Sequence, residues 1–254
     1  MSQQAQVAAW FGAVTLEPGR LVFSGAVGAA GLHAHAAVQV MRVTAGDVSL
    51  QDRYGQRRSV QEAWIPSRAL HSVHGLGAIA VFMYCDPDSA PGRVLRDRMV
   101  GGDRDHVDQW ITAAQSAAPG GPEAPGPHRA RHAMRMTLNS GTGPPSHPAV
   151  RRAIDRTQRL LGGPVRLQDL AEFVDLSPSR LGHLFAEELG LPFPVYLRWA
   201  RLRRAMELVR EGASLTQAAH GAGFVDSSHL TRVFHEMFGL APSTVLRSVR
   251  WDRA

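Results

Sequence analysis

The sequence contains no lysine: all 28 of its cationic residues are arginines, and against 22 acidic residues they leave a formal net charge of +6. Arginine suits phosphate and guanine because its planar fork can donate two parallel hydrogen bonds. Complete avoidance of lysine is also what a GC-rich coding bias produces, so the charge permits a nucleic-acid partner without requiring one. Cysteine is almost absent too. The single thiol, Cys85, excludes an intrachain disulfide, fits a reducing compartment and reads as a small buried hydrophobe. No apolar run approaches the roughly 20 residues of a bilayer-crossing helix. Met1 to Trp10 lacks the basic-then-apolar layout of a secretion signal, so a cytoplasmic protein with no membrane partner is expected. With 44% hydrophobic and 20% charged residues, the composition is that of a packed globular chain, long enough for two cores.

The boundary between those cores is expected within residues 117–146. Ala117 to Pro127 is built from alanine, proline and glycine with one glutamate, and Gly141 to Pro145 is a second break, leaving His128 to Ser140 as one bridging helix. Upstream, apolar and polar residues alternate: Val38, Val40 and Val43, then Val48 and Leu50, Ala63 to Pro66, and Ile79 to Tyr84. These read as short antiparallel strands. A helical stretch from Arg93 to Ala118, carrying Leu95, Val107, Trp110 and Ile111, is expected to pack on the strands, with a homodimer face as the alternative. Downstream of 146 the period becomes helical and no strand is expected. The fold class is therefore α+β: a β-rich unit over 1–116 with packing helices, a linker over 117–146, and an all-α unit over 147–254.

Within the back unit one helix occurs twice. Leu181, Leu184, Phe185, Leu189 and Gly190 recur as Leu230, Val233, Phe234, Phe238 and Gly239, in each case an i, i+3, i+4, i+8 stripe closed by glycine. Ser177 and Asp226 open the two copies as N-caps, and the glycines suit the left-handed residue that ends a helix. A shorter helix precedes each copy, with Leu167, Leu170, Ala171 and Val174 in the first and Leu215, Ala218, Ala219 and Ala222 in the second. Only Asp175-Leu176 and Gly223-Phe224-Val225 are left for the turns, which is helix-turn-helix layout. Pro194 to Val209, with Val195, Trp199, Leu202, Met206 and Val209 on one stripe, predicts a joining helix about 24 Å long. Two reading helices so joined can sit in successive major grooves, which repeat about every 34 Å.

Residues 147 to 249 resemble the DNA-binding region of the AraC family of bacterial transcription regulators. The resemblance is carried by Leu170-Ala171, Leu176-Ser177-Pro178-Ser179-Arg180-Leu181, Leu184-Phe185 and Gly190. Further on it is carried by Ala218-Ala219, Gly223-Phe224, Ser227-Ser228, Leu230, Arg232-Val233-Phe234, Gly239 and Pro242-Ser243. It implies a double-stranded DNA partner. It also implies base-facing positions at Ser179, Gly182 and His183, with Arg180 beside them, and at Ser227, Ser228, Thr231 and Arg232. Arg232 is the expected guanine contact, with a phosphate clamp as the alternative. Arg198, Arg201 and Arg204 on the joining helix are expected to be solvated or near phosphate. Where the family has a bulkier aliphatic, this chain has Ala218.

The front unit carries His33-Ala-His35 at the head of a strand pattern, where alternation puts His33, His35 and Gln39 on one face. Pro66-Ser-Arg-Ala-Leu-His71 follows. This pairing resembles the two motifs of the cupin β-barrel superfamily, which implies an antiparallel barrel and, in metal-bearing members, a glutamate where Gln39 stands. Arg68 occupies a place where glycine is usual. Two readings stay open: a divalent-metal triad of His33, His35 and His71, or histidines lining a polar pocket for a small-molecule effector. His74 reads as a surface or loop residue. The expected function is a non-enzymatic, sequence-specific regulator of transcription modulated by an effector. A metal-sensing regulator is the first alternative and a cupin metalloenzyme the second.

Overall fold

A computed structural model describes residues 10–99, 101–116, 126–139 and 147–252. Nine strands come first: β1 Phe11–Glu17, β2 Arg20–Ala26, β3 Ala29–His33, β4 Val38–Ala45, β5 Val48–Asp52, β6 Arg57–Val60, β7 Glu62–Ile65, β8 His71–Gly75 and β9 Ile79–Cys85. Helices α1 Ala90–Arg98, α2 Val107–Gln115 and α3 Pro127–Asn139 follow. The remaining helices are α4 Pro148–Leu160, α5 Leu167–Phe173, α6 Pro178–Leu189, α7 Phe193–Arg210, α8 Leu215–Gly221, α9 Ser227–Phe238 and α10 Pro242–Ser248, and the last element is strand β10 Val249–Asp252. Among the described residues no helix is long and apolar enough to cross a membrane.

The strands form a six-stranded sheet, in the order β10-β1-β2-β9-β4-β7, and a four-stranded sheet, β3-β8-β5-β6. All pairings are antiparallel except β1 with β10. Phe23, Met41, Leu50, Val73 and Phe82 belong to one buried core. On the other face of the larger sheet, Val22, Val40, Val81, Met83 and Cys85 pack with Leu95 of α1, Ala114 of α2, and Ala130 and Met134 of α3. This explains why β9 reads as an unbroken apolar run rather than an alternation: helices cover the outer face, so both faces are dry.

Four sequence expectations change. The stretch from Arg93 to Ala118 is two helices, α1 and α2, and Leu95, Val107 and Trp110 are all buried against the sheets. Within 117–146, α3 packs on the outer sheet face, and Arg131 at its centre donates to Glu17 of β1 at 2.6 Å; residues 117–125 and 140–146 lie outside the described residues. The back unit is not wholly helical, because β10 leaves α10 and adds to the edge of the front sheet, parallel to β1. His74 lies on β8, half-buried, with its Nε2 2.9 Å from both Ser72 Oγ and Arg57 Nη2.

Arg68 takes a left-handed φ of 66°. That is where the cupin pattern has glycine, so this chain holds an arginine in a conformation glycine adopts more readily. Its amide donates to the His35 carbonyl at 2.8 Å, which ties the loop before β8 to the segment between β3 and β4.

Candidate nucleic-acid interface and buried histidine cluster

The two reading helices are built alike. In α6, Leu181, Leu184, Phe185 and Leu189 are buried, and in α9 Leu230, Val233, Phe234, Met237 and Phe238 are. The wholly buried Ala171 of α5 and Ala218, Ala219 and Ala222 of α8 and its end let the crossing helices approach closely. Ser177 Oγ accepts from the Arg180 amide at 3.2 Å, and Asp226 Oδ1 from the His229 amide at 2.7 Å. Each cap satisfies a first-turn donor that would otherwise be unpaired. Gly190 and Gly239 close the helices at φ 69° and 68°.

These caps fix what each helix displays. Ser179, Arg180 and His183 on α6, and Ser228, Thr231 and Arg232 on α9, are exposed, while Gly182 and Ser227 are half-exposed. His183 Nδ1 donates to the Ser179 carbonyl at 2.7 Å, which holds the ring along its own helix. The opposite ends are held by the front unit. Arg96 of α1 donates to the Glu188 carbonyl of α6. The backbone amides of Gly31 and Ala34 donate to the Gly239 and Glu236 carbonyls of α9 at 2.9 and 3.2 Å. Both helices therefore turn their unpaired carbonyl ends to the sheets and leave their amide-rich N-terminal turns free.

The joining helix differs from expectation. It has 18 residues and is buried on most of its circumference: Phe193, Tyr196, Trp199, Ala200, Leu202, Ala205 and Met206 are all inside. Val195 and Val209 of the expected stripe are half-buried. Arg201 is not displayed toward a backbone phosphate. It is half-buried, donates to the Gly163 carbonyl at 2.9 Å and packs on Gly223, where an added Cβ would fall 3.0 Å from its Nε. Arg198 stays half-exposed 3.6 Å from Glu236, and Arg204 lies 3.2 Å from Glu207.

In the front unit His33, His35 and His71 do converge, with Gln39 against them, although His35 lies between β3 and β4 rather than on a strand. Ring centroids of His33 and His71 are 4.1 Å apart, and one ring nitrogen from each of the three histidines lies within 4.8 Å of the other two. All three are buried. Each Nδ1 faces a backbone carbonyl: Gly31 at 2.7 Å for His33, Ala37 at 2.8 Å for His35, Ala69 at 2.9 Å for His71. A carbonyl only accepts, so Nδ1 carries the proton in each ring and Nε2 keeps a lone pair. Burial keeps the rings neutral. It lowers His33 to about 3, with the neighbouring His35 adding to the shift, and pushes His35 and His71 down as well.

His71 Nε2 is buried without a partner, and His35 Nε2 lies 2.8 Å from the Gln39 amide. Neutral imidazoles with Nδ1–H fixed on a carbonyl are the form in which histidine binds a metal. Three of them fit a divalent first-row transition ion with further positions open, while the missing carboxylate makes the set neutral.

Where the sheets meet α7, α9 and α10, a small apolar cavity of about 90 Å³ remains, lined by Trp10, Phe23, His33, Met206, Phe238 and Trp251 among others.

A helix-turn-helix domain family matches residues 170–248, the span from α5 to α10. By this domain the chain belongs to the AraC family. Among its relatives, a regulator of Escherichia coli described as the uncharacterized helix-turn-helix transcriptional regulator YpdC is 36% identical over 80 residues, 31% of this chain and 28% of the relative. The transcriptional activator RhaR of Pectobacterium atrosepticum is 37% identical over 84 residues, 33% of this chain and 30% of the relative. GlxA of Rhizobium meliloti is 27% identical over 142 residues, 56% of this chain and 40% of the relative. The matched stretch thus spans less than half the length of these curated relatives. In fold the whole chain is similar to ToxT from Vibrio cholerae, with a TM-score of 0.54 at 13% identity, covering 91% of this chain and 98% of that one. ToxT has also been solved with an unsaturated fatty acid bound.

What the AraC-type domain shares with the front unit was not read from the sequence. Arg203 of α7 is buried, donates to the Glu17 carbonyl at 2.9 Å and lies 3.6 Å from Asp86. Trp199 Nε1 donates to Asp86 at 2.9 Å, and Tyr196 Oη donates to Asp88 at 3.1 Å. The available signal was spacing: Arg203 falls four residues after Trp199 and three before Met206, on the apolar side of the helix, where an arginine needs a buried partner.

Proposed function

We propose that this chain is a DNA-binding regulator of transcription that places α6 and α9 in adjacent major grooves of double-stranded DNA, under the control of a small effector. The observation that carries the reading is the polarity of the two helices. Their capped N-terminal turns present Ser179, Arg180 and His183, and Ser228, Thr231 and Arg232, to solvent, while their C-terminal ends are anchored. Helix N-terminal turns are the ends that reading helices direct at base edges. The relatives are named as regulators and activators of transcription, which supports a non-enzymatic role. The apolar lining of the cavity beside α9 supports an apolar effector, in keeping with the fatty-acid complex of ToxT.

Selection of bound sites from random DNA tests this reading. Arg232→Ala is expected to relax preference at one base position, since a bidentate arginine contributes about 1–3 kcal/mol of discrimination. An Arg232→Ala protein that loses affinity equally for all sites makes this residue a phosphate clamp. Failure to select any site contradicts DNA reading. Affinity is also expected to fall steeply with salt, through counterion release.

A further inference from the structure

The histidine cluster and the second reading helix share a residue. Gly31 of β3 donates its amide to the Gly239 carbonyl that closes α9, at 2.9 Å, and its own carbonyl accepts from His33 Nδ1 at 2.7 Å. Contact at this point is tight: a Cβ on Gly239 would lie 2.3 Å from the Gly31 carbonyl oxygen and 2.8 Å from His33 Nδ1. Three residues on, Ala34 donates to Glu236 of α9. From His35 a second line of contact runs through Tyr84, whose ring centroid lies 5.1 Å from His35 and 5.4 Å from Phe238 of α9. The cluster is therefore one peptide group away from the helix that carries Thr231 and Arg232.

We propose that His33, His35 and His71 bind one divalent transition-metal ion, and that loading this site stiffens the β3–α9 clasp and so sets the placement of the second reading helix. Three features support the site. The three ring nitrogens are already gathered within 4.8 Å, each Nδ1–H is anchored on a carbonyl, and the buried Nε2 of His71 lacks a partner. The link follows from bonding. A cation on Nε2 withdraws density from the ring and strengthens the Nδ1–H bond to Gly31, whose peptide in turn holds Gly239. Gln39 is the gate, because its amide must release His35 Nε2 as the ion enters. The coupling rests on the DNA-reading role proposed above for α9, whereas the site itself does not.

The unaltered full chain is titrated with zinc and, separately, with cobalt, whose visible absorption reports nitrogen coordination. One ion per chain is expected, together with hydrogen exchange slowed roughly fivefold or more at the amides of Gly31, Ala34 and the last turn of α9, the size usual for coupled sites. His71→Ala is expected to abolish both. The absence of stoichiometric metal on the unaltered chain overturns the site. Stoichiometric metal with unchanged exchange in α9 overturns the coupling. Site selection on metal-free protein runs alongside. Slowed exchange without any DNA binding leaves site and clasp standing and removes the DNA-reading role, whereas DNA binding unaffected by loading removes the coupling alone.

Discussion

Gly182 stands among the residues that α6 presents to DNA and carries no side chain of its own. A Cβ built there meets only Leu167, at an ordinary 3.5 Å, so neither packing nor backbone conformation requires glycine. Gly182→Ala is therefore expected to stabilise the protein by about 0.5–1 kcal/mol in denaturant unfolding, by reducing the freedom of the unfolded chain. A loss of stability would show that the α5–α6 contact is tighter than described. Single residues of this kind were legible from the repeat, as were Ser177, Asp226 and the two closing glycines, because caps and left-handed ends obey local rules. Arg201 was not: its basic character suggested a phosphate, but a carbonyl at Gly163 takes its hydrogen bond. Long-range partners of an arginine leave no mark in its neighbours along the chain.

At the scale of elements, α9 depends on its cap. Asp226 accepts from the His229 amide, and its negative charge also faces the positive end of the helix. Asp226→Ala is expected to lower stability by about 1 kcal/mol and to weaken DNA binding, because the first turn that carries Ser227, Ser228 and Thr231 frays. Urea unfolding and a binding titration measure the two effects; unchanged values in both would remove the cap from the account. The helix-turn-helix elements were readable because each buries a stripe of 3.6-residue period against a near neighbour. β10 was hidden for the opposite reason. Val249-Arg-Trp-Asp252 is too short for a period, and it becomes a strand only because the edge of β1 offers unpaired backbone groups. α3 was foreseen as a helix, but its seat on the sheet depends on Glu17 and Cys85, which are distant in sequence.

At the scale of the molecule the two units are joined through charge as well as backbone. Asp86 ends β9 and faces Trp199 and Arg203 of α7, and burial lifts its carboxyl from 3.8 to about 6, against the opposing pull of Arg203. A group held above its unfolded value keeps its proton longer in the folded state. Its contribution is thus fully present below about pH 4 and is lost as pH rises through about 6. Asp86→Asn retains an acceptor for Trp199 and cannot titrate. The stability of the unaltered protein relative to Asp86→Asn is accordingly expected to fall between about pH 4 and 6 and then level off, as read by urea unfolding. A difference that rises over that window would mean Arg203 dominates the carboxylate. None of this junction was legible beforehand, since it pairs residues of two units that sequence analysis treats separately.

The central claim is that one chain reads two neighbouring turns of DNA with two anchored helices. Hydroxyl-radical footprinting of the monomeric chain on a site selected from random DNA tests it most directly. Protection centred on two major grooves about 34 Å apart on one face of the duplex, with Arg232→Ala losing preference in only one of them, is the expected result. Protection of a single groove, or of two faces of the duplex, would contradict it.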